Sequence, residues 1–287
     1  MSLILLPAFS LIFVATTWGA VWFPYRLLES AGLSGALASL LTYLLGLPFL
    51  LWLYRRPLAR WLPAWRRLVG LALVVGWTNL SYVLAVIDGE VLRVMLLFYL
   101  APLWTLFFAW WFLGERPSRR GVWILALALA GALVMLYRGG LPLPANYGEW
   151  LGLGSGIGFA LSNVLSRRVR DIPDGVRGVW VYAGVAVVSL PPSMSAFNAD
   201  TLMALSVGQT LWMLSCISAL LILATLSVQF GLARMAANRA IVILLIELPV
   251  VALTGWWWAG EAVDLQEWLG AGLILLATLM SLKHGHH

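Results

Sequence analysis

Arg93-Val94-Met95-Leu96-Leu97-Phe98-Tyr99-Leu100-Ala101-Pro102 and Arg239-Ala240-Ile241-Val242-Ile243-Leu244-Leu245-Ile246-Glu247-Leu248-Pro249 open two copies of one pattern. Each copy is an apolar run with a proline inside it. Each ends in aromatics, Trp110-Trp111-Phe112 in the first and Trp256-Trp257-Trp258 in the second. A Gly-Glu turn follows, at Gly114-Glu115 and Gly260-Glu261, and then a second apolar run, to Met135 and to Ser281. Arg93 and Arg239, Glu115 and Glu261, and Met135 and Ser281 all lie 146 positions apart. An offset held over more than forty residues marks a duplicated half. Only the prolines slip, to an offset of 147. The turns differ in charge: Arg116, Arg119 and Arg120 follow Glu115, whereas Asp264 and Glu267 follow Glu261.

Composition says what surrounds this pattern. Of 287 residues, 62% are hydrophobic and only 10% charged, with a mean hydropathy of +0.93. A water-soluble surface needs far more charge, so lipid is the solvent for most of the chain. The net charge of +6 therefore does not point to nucleic acid, because the arginines sit between apolar runs. Cys216 is the single cysteine and cannot form an internal disulfide. The apolar N-terminus lacks a basic leader and reads as a retained first span. All three histidines lie in the tail after Lys283, so no metal or other cofactor is expected in the spans.

A bilayer core of about 30 Å takes roughly 20 helical residues. Ten spans can be placed: 3–25, 33–54, 68–87, 91–113, 120–137, 149–167, 176–191, 206–232, 239–259 and 265–282. The seventh is the shortest and is expected to close at Pro191-Pro192. With the N-terminus inside, 15 of the 18 Arg and Lys residues fall on inside loops. The positive-inside rule thus puts both termini in the cytoplasm. The fold class is all-α integral membrane, ten transmembrane helices in one membrane domain. Residues 1–140 form the first repeat and 146–283 the second. Five spans per half is odd, so the halves enter the membrane in opposite senses. Inverted-topology repeats are typical of secondary transporters, with a site near the midplane between the repeats.

Glu247 lies eight positions into span nine, at mid-membrane depth. A charge there costs about 2.5–3.5 kcal/mol, and intramembrane acids mark substrate pathways or proton relays. Glu247 is thus the proton-coupling candidate; the other reading is a carboxyl bonded to backbone freed near the proline. Span three reads Trp77-Thr78-Asn79-Leu80-Ser81-Tyr82, whose i,i+3 pairs put polar groups on one sector. Such groups face the bundle interior. Asn79 and Tyr82, with Tyr99 from span four, Trp18 and Trp22 from span one, Asn163 from span six and Gln229 from span eight, are the substrate-binding candidates. Pro24, Pro102 and Pro249 are the hinge candidates, since each removes a helical hydrogen bond. Gly152-Leu153-Gly154-Ser155-Gly156-Ile157-Gly158 lacks the Lys-Ser/Thr of a phosphate-binding loop and reads as a close-packing surface. Trp61, Trp65, Trp256, Trp257, Trp258 and Trp268 read as interfacial belt residues.

The ten spans, the five-plus-five repeat, Trp18-Gly19 in the first span and the Pro…Gly-Glu signature in spans four and nine resemble the drug/metabolite transporter superfamily, in its EamA-type branch. The aromatic content and the Thr-Trp-Gly and Asn-Leu-Ser-Tyr segments are similar to aromatic amino acid exporters of the YddG type. The family has Glu directly before the span-nine proline; Leu248 intervenes here, so the helix break is expected to be displaced by one residue. The resemblance implies a non-enzymatic exporter of small metabolites, amino acids with aromatic ones preferred, working as a monomer by alternating access. It implies a bacterial inner membrane location, with membrane lipids and a small-molecule substrate as partners. The alternative is a multidrug or cationic-compound exporter coupled to protons through Glu247.

Overall fold

The computed structural model describes residues 2–88, 91–137, 143–195, 206–260 and 262–283. Arg138, Glu261 and the tail histidines lie outside the described residues. The described residues are mostly helical, with no strand among them. In lipid a backbone must satisfy its own hydrogen bonds, and a helix does so within one segment. The helices are α1 (Ser2–Ser30), α2 (Gly35–Leu53), α3 (Arg55–Trp61), α4 (Trp65–Asp88), α5 (Val91–Phe98), α6 (Ala101–Leu113) and α7 (Arg119–Leu136). The second half supplies α8 (Tyr147–Arg168), α9 (Asp174–Ser195), α10 (Val207–Arg234), α11 (Ala237–Leu244), α12 (Glu247–Ala259) and α13 (Leu265–Lys283). Polar side chains start several of them: Ser118 accepts from Gly121 N at 3.1 Å, and Asn146 accepts from Glu149 N at 2.9 Å.

Nine of the described helical stretches are long and apolar enough to cross a membrane. The tenth span is α8, whose 22 residues suffice in length. Its glycines and serines lower its hydropathy because it packs between protein neighbours, α4, α5 and α6. This is a multi-pass membrane protein. The seventh span does not close at Pro191-Pro192, as α9 runs through both prolines to Ser195. Only the two carbonyls four residues earlier lose partners, at a helix end. There Ser193 Oγ bonds back to the Ser189 carbonyl at 2.8 Å and across to the Ala36 carbonyl at 3.1 Å.

Spans four and nine are each broken, and the breaks coincide at the repeat offset. α5 stops at Phe98 and α6 starts at Ala101; α11 stops at Leu244 and α12 starts at Glu247. Each boundary is shifted by 146. The break in span nine is therefore in register, not displaced by one residue. The slipped proline is harmless because both prolines fall in the first turn of a new helix. There an N–H has no helical partner to lose. At the other ends Gly114 and Gly260 adopt φ of 67° and 68°, the left-handed cap that favours glycine.

Packing repeats the duplication. α4 lies on α8 and α9, as α10 lies on α1 and α2; α6 lies on α8, as α12 lies on α1. α7 and α13, the last spans of each half, pack on each other. In lipid such contacts rest on close packing of small residues. A Cβ at Gly156 would stand 2.5 Å from the Phe98 carbonyl oxygen, and one at Gly19 would stand 2.8 Å from that of Glu247.

Candidate functional site

The two breaks bring Tyr99 and Glu247 to the same place. Glu247 opens α12, partly buried, and lines one cavity with Tyr99. Tyr82 of α4 reaches Tyr99 through the Phe98 ring. An aromatic wall runs on from there. Tyr82 meets Phe98 at 5.3 Å, and Phe98 meets Tyr99 at 5.2 Å and Phe159 at 5.4 Å. Phe159 meets Trp18 at 5.8 Å, edge to face. A cavity of about 10 Å³ lies among Tyr99, Pro102, Phe159, Ile241, Leu245 and Glu247. That is room for about one water, so the walls are closed on each other in this conformation.

The structure brings Trp18, Tyr82, Tyr99 and Glu247 together and places the other sequence candidates elsewhere. Asn79 Oδ1 accepts from Ser39 Oγ at 2.9 Å, joining α4 to α2. Trp22 donates from Nε1 to Thr254 Oγ1 at 3.0 Å, joining α1 to α12. Asn163 is 2% exposed, one turn beyond Phe159 on α8, and its Nδ2 has no protein partner. Gln229 is taken by Arg177, which donates to its Oε1 at 2.9 Å and its backbone carbonyl at 2.8 Å. Pro24 lies within α1; Pro102 and Pro249 stand at the breaks.

Three features of the site were not legible in the chain. Phe98 and Phe159 read as ordinary apolar residues; nothing local distinguishes them. Arg177 reads as a loop charge, yet it is fully buried, bonded to the carbonyls of Ser166 and Ile172 and paired with Asp174. A buried guanidinium is tolerable only when so many of its donors are met. Glu115 reads as a turn marker, yet it pairs with Arg167 at the end of α8 and accepts from the Ala237 N–H that starts α11, at 3.2 Å. Its position after the Gly114 cap, repeated at 146 residues, was the available signal.

The comparisons with known proteins give this geometry a family. Residues 5–137, the first five spans, match the EamA-like transporter family. That match supports an EamA-type protein, in the drug/metabolite transporter superfamily, over the first half of the chain. It is 27% identical over 217 residues to an uncharacterized transporter of Archaeoglobus fulgidus, covering 75% of this chain and 76% of that one. A crystal structure of a protein 19% identical superposes with a TM-score of 0.76, over 98% of this chain and 97% of that one. At that identity the likeness speaks for the fold alone. Family and relative point to a small-molecule transporter rather than an enzyme.

Proposed function

We propose that this EamA-type protein is a secondary transporter that exports amino acids, with aromatic ones preferred, by alternating access around the Glu247 cavity. The observation that carries the reading is the meeting of one acid, two tyrosines and a continuous aromatic wall where both broken spans are interrupted. An amino acid needs a partner for its ammonium, donors for its carboxylate and a surface for its side chain. Glu247 serves the first. The N-terminal ends of α6 and α12, with their partial positive charge, and the tyrosine hydroxyls serve the second. Trp18, Tyr82, Phe98 and Phe159 serve the third, which is also what the likeness to YddG-type exporters implies. Asn79, Trp22, Asn163 and Gln229 then act as supports or as path residues around that centre.

The halves, 1–140 and 146–283, are two EamA-like repeats of opposite topology in a monomer. The coincident breaks and the reciprocal packing support this, because each half then carries an equivalent set of moving parts. The charge bias supports a bacterial inner membrane with both termini cytoplasmic, which makes the Glu115 end the inner one. A cavity of single-water size supports a closed intermediate between two open states.

The test is efflux from liposomes loaded with labelled tryptophan, phenylalanine, threonine or lysine, with and without a pH gradient. Saturable efflux of tryptophan and phenylalanine well above lysine is expected. Efflux no faster than from protein-free liposomes for every amino acid overturns the cargo. It would leave the cationic-compound exporter, for which a lone acid among aromatic rings is also suited. A pH-gradient response that Glu247→Gln abolishes assigns proton coupling to that carboxyl. A wild-type rate independent of the gradient makes the protein a facilitator.

A further inference from the structure

Three helices each place a polar group one turn from the cavity, on the face that lines it, and leave it without a protein partner. On α6, Thr105 follows cavity-lining Ala101 and Pro102 by four and three residues. On α8, Asn163 follows Phe159 by four; on α11, Asn238 precedes Ile241 by three. Residues at these spacings share a helix face. Thr105 Oγ1, Asn163 Nδ2 and Asn238 Oδ1 are all buried and unpaired. They also stand together. A Cβ at Gly152 would meet Val94 and one at Gly156 would meet Phe98, each 58 positions earlier, so α8 runs alongside α5 and α6 in one direction. The same offset sets Asn163 beside Thr105. One turn further on, the stripe ends at Arg167 paired with Glu115, whose other oxygen receives the Ala237 N–H. Ala109, Val164 and Ala237 fill the space between.

Unpaired buried polar atoms are costly, and apolar residues would pack these positions more cheaply. The other half of the protein does use mostly apolar residues: the positions 146 away are Val251, Thr17 and Leu92. The polar stripe is thus specific to one end. We infer that α6, α8 and α11 line the half-pathway between the cavity and the Glu115 end, with Thr105, Asn163 and Asn238 as its polar walls and the Glu115–Arg167 pair as its gate. A solute that trades water for hydrogen bonds, as a zwitterion must, is met by these groups when the gate parts. The closed state leaves them unpaired, and that raises its energy relative to the open one. The inference rests on the reading of the Glu247 cavity as the cargo site.

The test needs no cargo. In the Cys216→Ser background, Thr105→Cys is reacted with a small charged methanethiosulfonate in purified, detergent-solubilised protein, with and without Glu115→Gln. Labelling scales with the open population, so Glu115→Gln is expected to speed it about tenfold. Val251→Cys, at the equivalent position of the opposite half, is expected to show no such rise. Equal labelling of Thr105→Cys with and without Glu115→Gln overturns the gate, and an equal rise at Val251→Cys overturns it as general loosening. Asn163→Cys repeats the measurement should Thr105→Cys not elute as a single species. Failure of amino acid efflux with the labelling pattern intact would overturn the cargo and keep the path.

Discussion

Two seams join the halves, and they are counterparts at the 146-residue offset with different chemistry. In one, α8 meets α6: Arg167 pairs with Glu115, and the Arg168 guanidinium sits 5.7 Å over the Phe112 ring. In the other, α1 meets α12: Trp22 bonds Thr254, and Phe23 and Trp258 lie 5.3 Å apart. Phe112 and Trp258 are equivalent positions, and so are Arg168 and Trp22. One backbone plan is thus latched by ions at one end and by aromatic rings at the other. The asymmetry lies in the side chains: Arg167 and Arg168 stand where the first half has Val21 and Trp22. An ionic seam depends on a specific partner, whereas an aromatic seam depends on shape, so the two should fail differently.

The largest effect is expected from Arg167→Ala. It strands Glu115 with only the Ala237 N–H. Removing one partner of a buried pair costs about 3–5 kcal/mol, and the partial exposure here lowers that to about 2–3 kcal/mol. Thermal unfolding in detergent, followed by tryptophan fluorescence, should show a clearly lower midpoint; an unchanged midpoint would mean the ionic seam contributes no more than the aromatic one. Next come Gly156→Ala and Gly19→Ala, the close-contact glycines where α8 meets the end of α5 and where α1 meets α12. Overpacking of about 1–3 kcal/mol is expected at each, and no penalty at either would mean that these backbone approaches can relax. Trp22→Phe keeps the ring and removes the bond to Thr254, at about 0.5–1.5 kcal/mol by the same measurement.

The smallest effect concerns an exposed ion pair, Arg67 with Asp171, at 2.6 and 2.8 Å. Both side chains are about half exposed. The guanidinium holds the Asp171 carboxyl below its ordinary value of 3.8. A depressed carboxyl contributes stability above its unfolded pKa and loses it as pH falls through the folded one. The pair should therefore add a few tenths of a kcal/mol from neutral pH down to about 4 and nothing in stronger acid. Asp171→Asn should remove that acid-limb difference and leave both seams intact.

The repeat made much of the site legible. Pro102 and Pro249 flagged the two breaks, and Glu247, Tyr82 and Tyr99 stood out as polar groups that lipid would not tolerate. Other residues misled because their partners are distant in sequence. Gln229 looks like a cavity residue only until Arg177, 52 positions earlier, is found bonded to it. Arg177 and Arg167 looked like topological charges, since counting charge in loops says nothing of where a long side chain reaches. The expected one-residue displacement of the second break failed for a simpler reason. Where a helix is already interrupted, the first turn of the next accepts proline at more than one position.

The sequence by itself determined the solvent, the spans and the repeated pattern, because these follow from sums and periods: apolar length against bilayer thickness and one offset held through many residues. Only the tertiary structure decided that Phe159 lines the cavity with Phe98 packed against it, and that Gln229 is held by Arg177. It alone joined Glu115 to Arg167 and lined up Thr105, Asn163 and Asn238 toward that pair. Those facts depend on which faces of separate helices meet. In lipid, that choice is made by close contacts such as Phe98 on Gly156, whose partners lie far apart in the chain and leave no local mark on it.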